Sequence, residues 1–301
     1  MLNIRFAATE DGSLTPEQRH AYETQGVLVL EDYVTRDETR ALREATARLV
    51  EDFDPAAVRT VFSTSSRAHA ADEYFQTSGD KVRFFLEAGA MDDEGRLTVP
   101  KERALNKIGH AAHDLDPDFA RFSRTAKLAR TARDVGLADP GLVQSMVIFK
   151  QPRIGGEVGM HQDATFLHTE PVSCVGFWFA LEDATVDNGC LFGLPGLKGR
   201  GLAERFRYED GAEGETLAME PLSDEAMPMD DAVPLEAPEG SLVLLHGLFP
   251  HASHPNTSGR SRLAYALHMI DRRARWSADN WLRRAPDMPV RGFPPFEGDA
   301  A

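Results

Sequence analysis

Five short apolar runs, at 145–149, 175–181, 189–192, 241–245 and 262–270, follow one another with Gly, Pro or Asn at their borders. Runs of that length are too short for stable helices and too closely spaced for β-α-β crossovers, so they predict antiparallel strands. The N-terminal third has a different grammar. Thr15-Pro16-Glu17-Gln18 is a helix start, with a threonine cap, proline at the first position and glutamine at the third. Thr35-Arg36-Asp37-Glu38 opens a second helix in which Leu42, Ala45, Leu49 and Val50 recur at helical spacing, and Gly26–Leu30 reads as a short buried strand between the two. The fold class expected is mainly β with flanking helices: an antiparallel sandwich or barrel, which an H-x-D…H set mounted on its short strands narrows to a jelly roll. One domain spans 1–301, helical over about 15–140, with its jelly-roll core over about 141–275. Residues 198–238 are acidic and weakly periodic, and they read as a long surface excursion.

Composition removes several classes of function. A net charge of −15 argues against a nucleic-acid partner, which needs local positive surface. No apolar run is long enough to span a bilayer, and the first residues lack the apolar centre of a signal peptide. Two cysteines, Cys174 and Cys190, without a C-x-x-C pair, fit a cytoplasmic protein with reduced thiols.

The chemistry is carried by His161-Gln162-Asp163 and, far downstream, His251. Two imidazoles and one carboxylate can hold a non-haem Fe(II) ion on one face and leave the opposite face open to oxygen and substrate. On a strict strand His161 and Asp163 face the same side. Arg262 follows His251 by eleven residues and shares a strand face with Ala264, Ala266 and His268. An inward arginine over small neighbours is costly unless an anion pairs with it, and its planar fork suits a carboxylate. Trp178 sits in the same way between Gly176 and Ala180. Iron plus a carboxylate-binding arginine suggests a 2-oxoglutarate-dependent oxygenase. Two rivals stay open: a non-catalytic jelly-roll sensor of metal or 2-oxoglutarate, and a hydrolytic zinc enzyme.

At this point the chain resembles the phytanoyl-CoA dioxygenase family, and most closely its domain-containing branch. The resemblance rests on Met146-Val-Ile-Phe-Lys-Gln, the run from Gly155 through Asp163, Trp178-Phe-Ala-Leu-Glu-Asp, Asp187-Asn-Gly-Cys, and His251-Ala-Ser-His-Pro-Asn with Arg260-Ser-Arg. It implies a double-stranded β-helix (cupin-like jelly-roll) fold and a dioxygenase using Fe(II), 2-oxoglutarate and O2, with His161, Asp163 and His251 as iron ligands. It further implies that Arg262 and Ser253 meet the far carboxylate of 2-oxoglutarate, and that Lys107, Met146 and Trp178 line the co-substrate pocket. The substrate would be a small molecule or an acyl compound, oxidised with release of succinate and CO2. Halogenating relatives lack the carboxylate that Asp163 supplies, so its presence implies hydroxylation. The chain departs from the family at Gly196-Leu197-Lys198, and it ends in Gly298-Asp299-Ala300-Ala301 without a peroxisomal address.

Other polar residues receive lesser expectations. His110 and His113 are expected to share a helix face, without a third ligand in register. His246 is placed at a strand end near the pocket, His254 in a turn and His168 beside the iron motif. Lys81, Arg83, Lys101 and Arg103 are expected on a solvated face, and Cys190 as a small buried residue. Selectivity is expected from the 198–238 excursion and from residues 53–101.

Overall fold

The computed structural model describes residues 3–55, 73–92, 94, 96–197, 199–211 and 214–295. Most of the 53–101 segment is therefore visible, whereas residues 56–72, Lys198 and the last six residues lie outside the described ones.

Two sheets form the core. The larger has nine strands, with the order Arg5–Ala7, Val27–Glu31, Leu242–His246, Val175–Ala180, Arg262–Asp271, Pro140–Lys150, Leu105–His110 and Val82–Leu86, and with Arg291–Gly292 also pairing along Pro140–Lys150. The smaller has four: Val233–Leu235, Leu191–Gly193, His251–Ser253 and Val158–His161. All pairs in both sheets are antiparallel except the one between the first two strands. This is the jelly-roll sandwich expected from the strand spacing.

Side-chain alternation explains why the central strands are apolar throughout. Leu28, Leu30, Phe177, Phe179, Leu242, Leu244, Tyr265 and Leu267 face one way, into a core closed by helices. Val27, Val29, Trp178, Ala180, Val243, Leu245, Ala264 and Ala266 face the other way, onto Leu191, Phe192 and Phe249 of the smaller-sheet layer. A strand covered on both faces has no polar side to show. Each large side chain buried in this way contributes roughly 1.5–3 kcal/mol.

The helices begin where their caps were read. Pro16–Gln25 and Arg36–Asp52 each start with a full capping box, at Thr15/Gln18 and Thr35/Glu38. The first stops at Gly26, whose φ of 78° is the left-handed conformation that glycine adopts without strain.

Two features differ from the sequence expectation. The segment 15–140 also supplies three strands of the large sheet, Val27–Glu31, Val82–Leu86 and Leu105–His110, of which only the first was read. The 198–238 excursion contains a hairpin, Glu204–Gly211 paired with Gly214–Pro221, as a two-stranded sheet of its own. Phe206, Tyr208 and Leu217 of that hairpin pack against Phe75, Phe166 and Trp281, which folds it back over the body.

Candidate active site

His161 is the last residue of Val158–His161, and His251 opens the neighbouring strand His251–Ser253 directly opposite it. Antiparallel pairing alone thus brings together two histidines ninety positions apart in the chain, with ring centres separated by 4.3 Å. Asp163 does not continue the strand, as the H-x-D spacing had suggested. It begins the 3-10 turn Asp163–Thr165, held by the Ala164 N–H donating to the Gly247 carbonyl at 2.9 Å. The turn bends the carboxylate toward the histidine pair. One ligand atom from each of the three residues lies within 4.8 Å of the others.

The protonation pattern suits a cation. Nδ1 of His161 lies 2.8 Å from the Gly159 carbonyl, and Nδ1 of His251 lies 3.1 Å from that of Phe249. A carbonyl only accepts, so each Nδ1 carries the proton and each Nε2 keeps its lone pair. Those Nε2 atoms are 3.8 and 3.7 Å from Oδ1 of Asp163. Burial pushes the His161 imidazole down to about 4, so it is neutral at pH 7. Burial acts to raise Asp163, but the neighbouring imidazoles of His268 and His251 outweigh it, and the carboxyl stays below its ordinary range. Among the described residues no lysine or arginine pairs with this buried carboxylate, and its Oδ2 has no hydrogen bond. An ionised, buried carboxylate beside two imidazole lone pairs is a donor set that fits a divalent cation.

Gln162, between the two ligand candidates, points away from them. Its amide donates to the carbonyls of Gly201 (2.9 Å) and Leu248 (2.8 Å) and accepts from the Ala203 N–H (2.8 Å). It ties the 201–203 chain, just before the hairpin, to the metal-facing turn.

The opposite wall is the inner face of the large sheet. In register across it lie Ala266 with Met146 and Trp178, and Ile148 with Ala264 and Lys107. Arg262 is on the same face at the strand end. It is 1% exposed, with Nε donating to the Gly189 carbonyl at 3.2 Å and its guanidinium 5.3 Å from the Trp178 ring centre. Its Nη1 is buried without a partner, and no carboxylate among the described residues pairs with it. Burial pushes its pKa down to about 10, which still leaves it charged at pH 7. Ser253 is buried on the facing strand, opposite Leu191. Lys107 is buried with Nζ 5.0 Å from the Phe85 ring centre, and burial pushes its ammonium down to about 7. All eight residues singled out by the sequence therefore belong to the two facing sheets or to the turn between them.

Two residues went unassigned. His268 lies on the Arg262 face, and its Nε2 is 3.4 Å from Oδ2 of Asp163. Gly176 sits opposite it, and a Cβ there would be 2.8 Å from that same oxygen. Their roles depend on register and on the turn at Asp163, which no local motif shows.

The lesser candidates separate from the site. His110 ends a strand with Nδ1 2.8 Å from the Ser78 hydroxyl, and His113 lies in the short helix Ala112–Leu115 with Nδ1 2.8 Å from Ser145, so they share no helix face. His246 packs on Tyr22 and accepts from the Leu248 N–H, and His254 packs on Phe192. His168 is tied through its backbone to Asn280. Lys81 pairs with Asp80, Arg83 lies over Tyr74, and Lys101 donates to the Glu51 carbonyl. Burial pushes the Cys190 thiol up to about 12, too high for a nucleophile.

Comparison with known proteins agrees with this geometry. The family model described as phytanoyl-CoA dioxygenase matches residues 22–264. A phytanoyl-CoA dioxygenase of Arabidopsis thaliana is 43% identical over 275 residues, covering 91% of this chain and 95% of that one. Phytanoyl-CoA dioxygenase domain-containing protein 1 of Bos taurus is 44% identical over 293 residues, covering 94% and 98%. Among solved structures, the non-haem α-ketoglutarate-dependent carbocyclase SnoK superposes with a TM-score of 0.63 at 18% identity, covering 95% of this chain and 97% of SnoK. EctD of S. alaskensis, with 2-oxoglutarate and 5-hydroxyectoine, superposes with a TM-score of 0.61 at 20% identity, covering 95% and 87%. The chain belongs to the phytanoyl-CoA dioxygenase family, and it is a dioxygenase of the non-haem Fe(II)/2-oxoglutarate class.

Proposed function

We propose that the protein hydroxylates an aliphatic C–H bond of a small molecule or acyl compound, with His161, Asp163 and His251 holding Fe(II). Arg262 and Ser253 would take the far carboxylate of 2-oxoglutarate, and Lys107, Met146 and Trp178 would line its pocket. One observation carries the assignment. Two buried charges of opposite sign, Asp163 and Arg262, face the same interior and neither has a counter-ion among the described residues. One cation and one carboxylate would complete both.

When bound, the metal and co-substrate supply oxygen activation coupled to decarboxylation of 2-oxoglutarate to succinate and CO2. The protein's part is positional. His161 and His251 present fixed lone pairs, because their other ring nitrogens are anchored on backbone carbonyls. Asp163 fills the ligand position that a halide would need, which favours hydroxyl transfer. His161 is the most open of the three, with a side chain 21% exposed against 7% for Asp163 and His251. Its ring meets Phe166 at 5.9 Å, and Phe166 meets Phe206 of the hairpin at 5.7 Å. The approach to the open side is thus walled by aromatic rings, which suits a substrate whose reacting part is hydrocarbon.

The names of the relatives suggest an acyl thioester, whereas the EctD ligand suggests a small metabolite. Among the described residues no helix is long and apolar enough to cross a membrane. We place the protein in the cytoplasm because both of its cysteines are free. The test is turnover under 18O2 with a panel of acyl-CoA thioesters and small metabolites. Fe(II)-dependent succinate formation with one 18O atom in the oxidised product is the expected result. Tight 2-oxoglutarate binding with no succinate under any substrate would identify a sensor instead.

A further inference from the structure

We propose that His268 is a positioning residue for Asp163, donating from Nε2 to Oδ2 so that Oδ1 alone faces the metal. This rests on the assignment of Asp163 as a ligand. His268 is 5% exposed and is on the large sheet, not on the elements that carry the three candidate ligands. Its Nδ1 is buried without a hydrogen-bond partner, so the proton belongs on Nε2, which lies 3.4 Å from Oδ2 of Asp163. That separation exceeds the usual N–H···O distance of about 2.9 Å, so the two groups must close by about half an ångström for the bond to form. The two oxygens are already divided: Oδ1 is 3.8 and 3.7 Å from the two ligand Nε2 atoms, and Oδ2 is the one near His268.

Space for the contact is kept by Gly176, the register partner of His268. A Cβ there would stand 2.8 Å from Oδ2 and 3.6 Å from His268 Nε2. With Oδ2 engaged by the imidazole, Asp163 would offer a single oxygen, Oδ1, to the metal. His268 thereby links the Arg262 strand to the metal-facing turn. The two halves of the site share one rigid element.

The test compares His268→Leu, which removes the donor, with His268→Gln, whose amide reaches a similar position. Anaerobic titration of the full-length protein with Co(II) as metal probe gives the affinities, with Tm recorded alongside. The expected result is a roughly 10–100-fold weaker Co(II) affinity in His268→Leu. His268→Gln should recover to within about threefold of the wild type. Unchanged affinity in His268→Leu would overturn the proposal, and so would equal loss in both variants, which would mean that the ring itself ligates or packs. Failure of the wild-type protein to bind Co(II) or Fe(II) would instead overturn the ligand assignment beneath it.

Discussion

Two buried aspartates in this molecule have opposite surroundings. Asp114 has no exposed side-chain surface and is surrounded by Arg124, Arg284 and Arg291, the last at 3.0 Å, with His113 alongside. Asp163 is also buried, with 7% of its side chain exposed, but among the described residues three histidines and no permanent cation pair with it. The first cluster is electrostatically complete and joins the helical layer to the C-terminal segment. The second is complete only when something cationic enters it. Arg262 and Arg284 repeat the contrast for cations, since Arg284 meets Asp114 while Arg262 ends on an unpartnered Nη1. A buried charge matched by the protein is scaffold, and one left unmatched marks where a ligand belongs.

The contrast is sharpest under substitution to alanine. Asp163→Ala should abolish Fe(II) binding, measured by anaerobic titration, while the metal-free Tm stays level or rises, because an unpaired buried charge is gone. Asp114→Ala should do the reverse. It strands Arg284 and should cost about 3–5 kcal/mol in urea unfolding, with metal binding by the folded fraction retained. Equal destabilisation by both changes would erase the distinction between the clusters.

A milder perturbation is steric. Gly176→Ala would push a methyl into the gap beside Asp163 Oδ2, costing about 1–3 kcal/mol in stability and lowering Fe(II) affinity by roughly tenfold. Calorimetry with and without metal would separate the two effects, and loss of stability alone would show that the neighbouring wall relaxes without disturbing the carboxylate.

A further expected effect is pH-dependent and belongs to the scaffold cluster. Burial lowers the His113 imidazole to about 3, against about 6.5 in an unfolded chain. The unfolded chain therefore takes up a proton that the folded one refuses. The resulting stability is full above pH 6.5 and is lost as pH falls toward 3, by up to about 1.4 kcal/mol per pH unit. Asp114 adds in the same direction: burial acts to raise it, but His113 and Arg284 outweigh this and hold it below 3.8, so its contribution disappears in acid. Urea midpoints of the metal-free protein from pH 7 to 4 should fall, and His113→Gln should flatten the slope.

Much of this architecture is legible in the sequence. The five strand runs appeared because glycine, proline and asparagine cut them cleanly, and the capping boxes at Thr15 and Thr35 are written in four residues each. His161, Asp163, His251, Trp178 and Arg262 stand out because metal and carboxylate chemistry demands unusual side chains among small ones, whereas Lys107, Met146 and Ser253 are marked only by the family resemblance. The strands Val82–Leu86 and Leu105–His110 were hidden within a segment read as helical, since neither alternates and each becomes a strand only by pairing with the large sheet. The hairpin is masked by the charges of Arg205, Arg207, Glu209 and Glu220, of which Arg207 and Glu220 pair with each other between its two strands. His268 and Gly176 escaped for a deeper reason. Their importance is a product of cross-strand register and a turn at Asp163, neither of which local sequence encodes.

A cation held by Asp163 and its histidines and a carboxylate held by Arg262 would share one site. Anaerobic titration of the protein with Fe(II) and then 2-oxoglutarate, following the visible charge-transfer band of the chelate, tests it directly. The account predicts a saturable band in the wild-type protein. In Arg262→Ala, iron should still bind but 2-oxoglutarate should be weaker by about 2–5 kcal/mol, roughly 30- to several-thousand-fold. A band with the same 2-oxoglutarate dependence in both proteins would contradict it, leaving Arg262 a structural residue and the two unmatched charges unrelated.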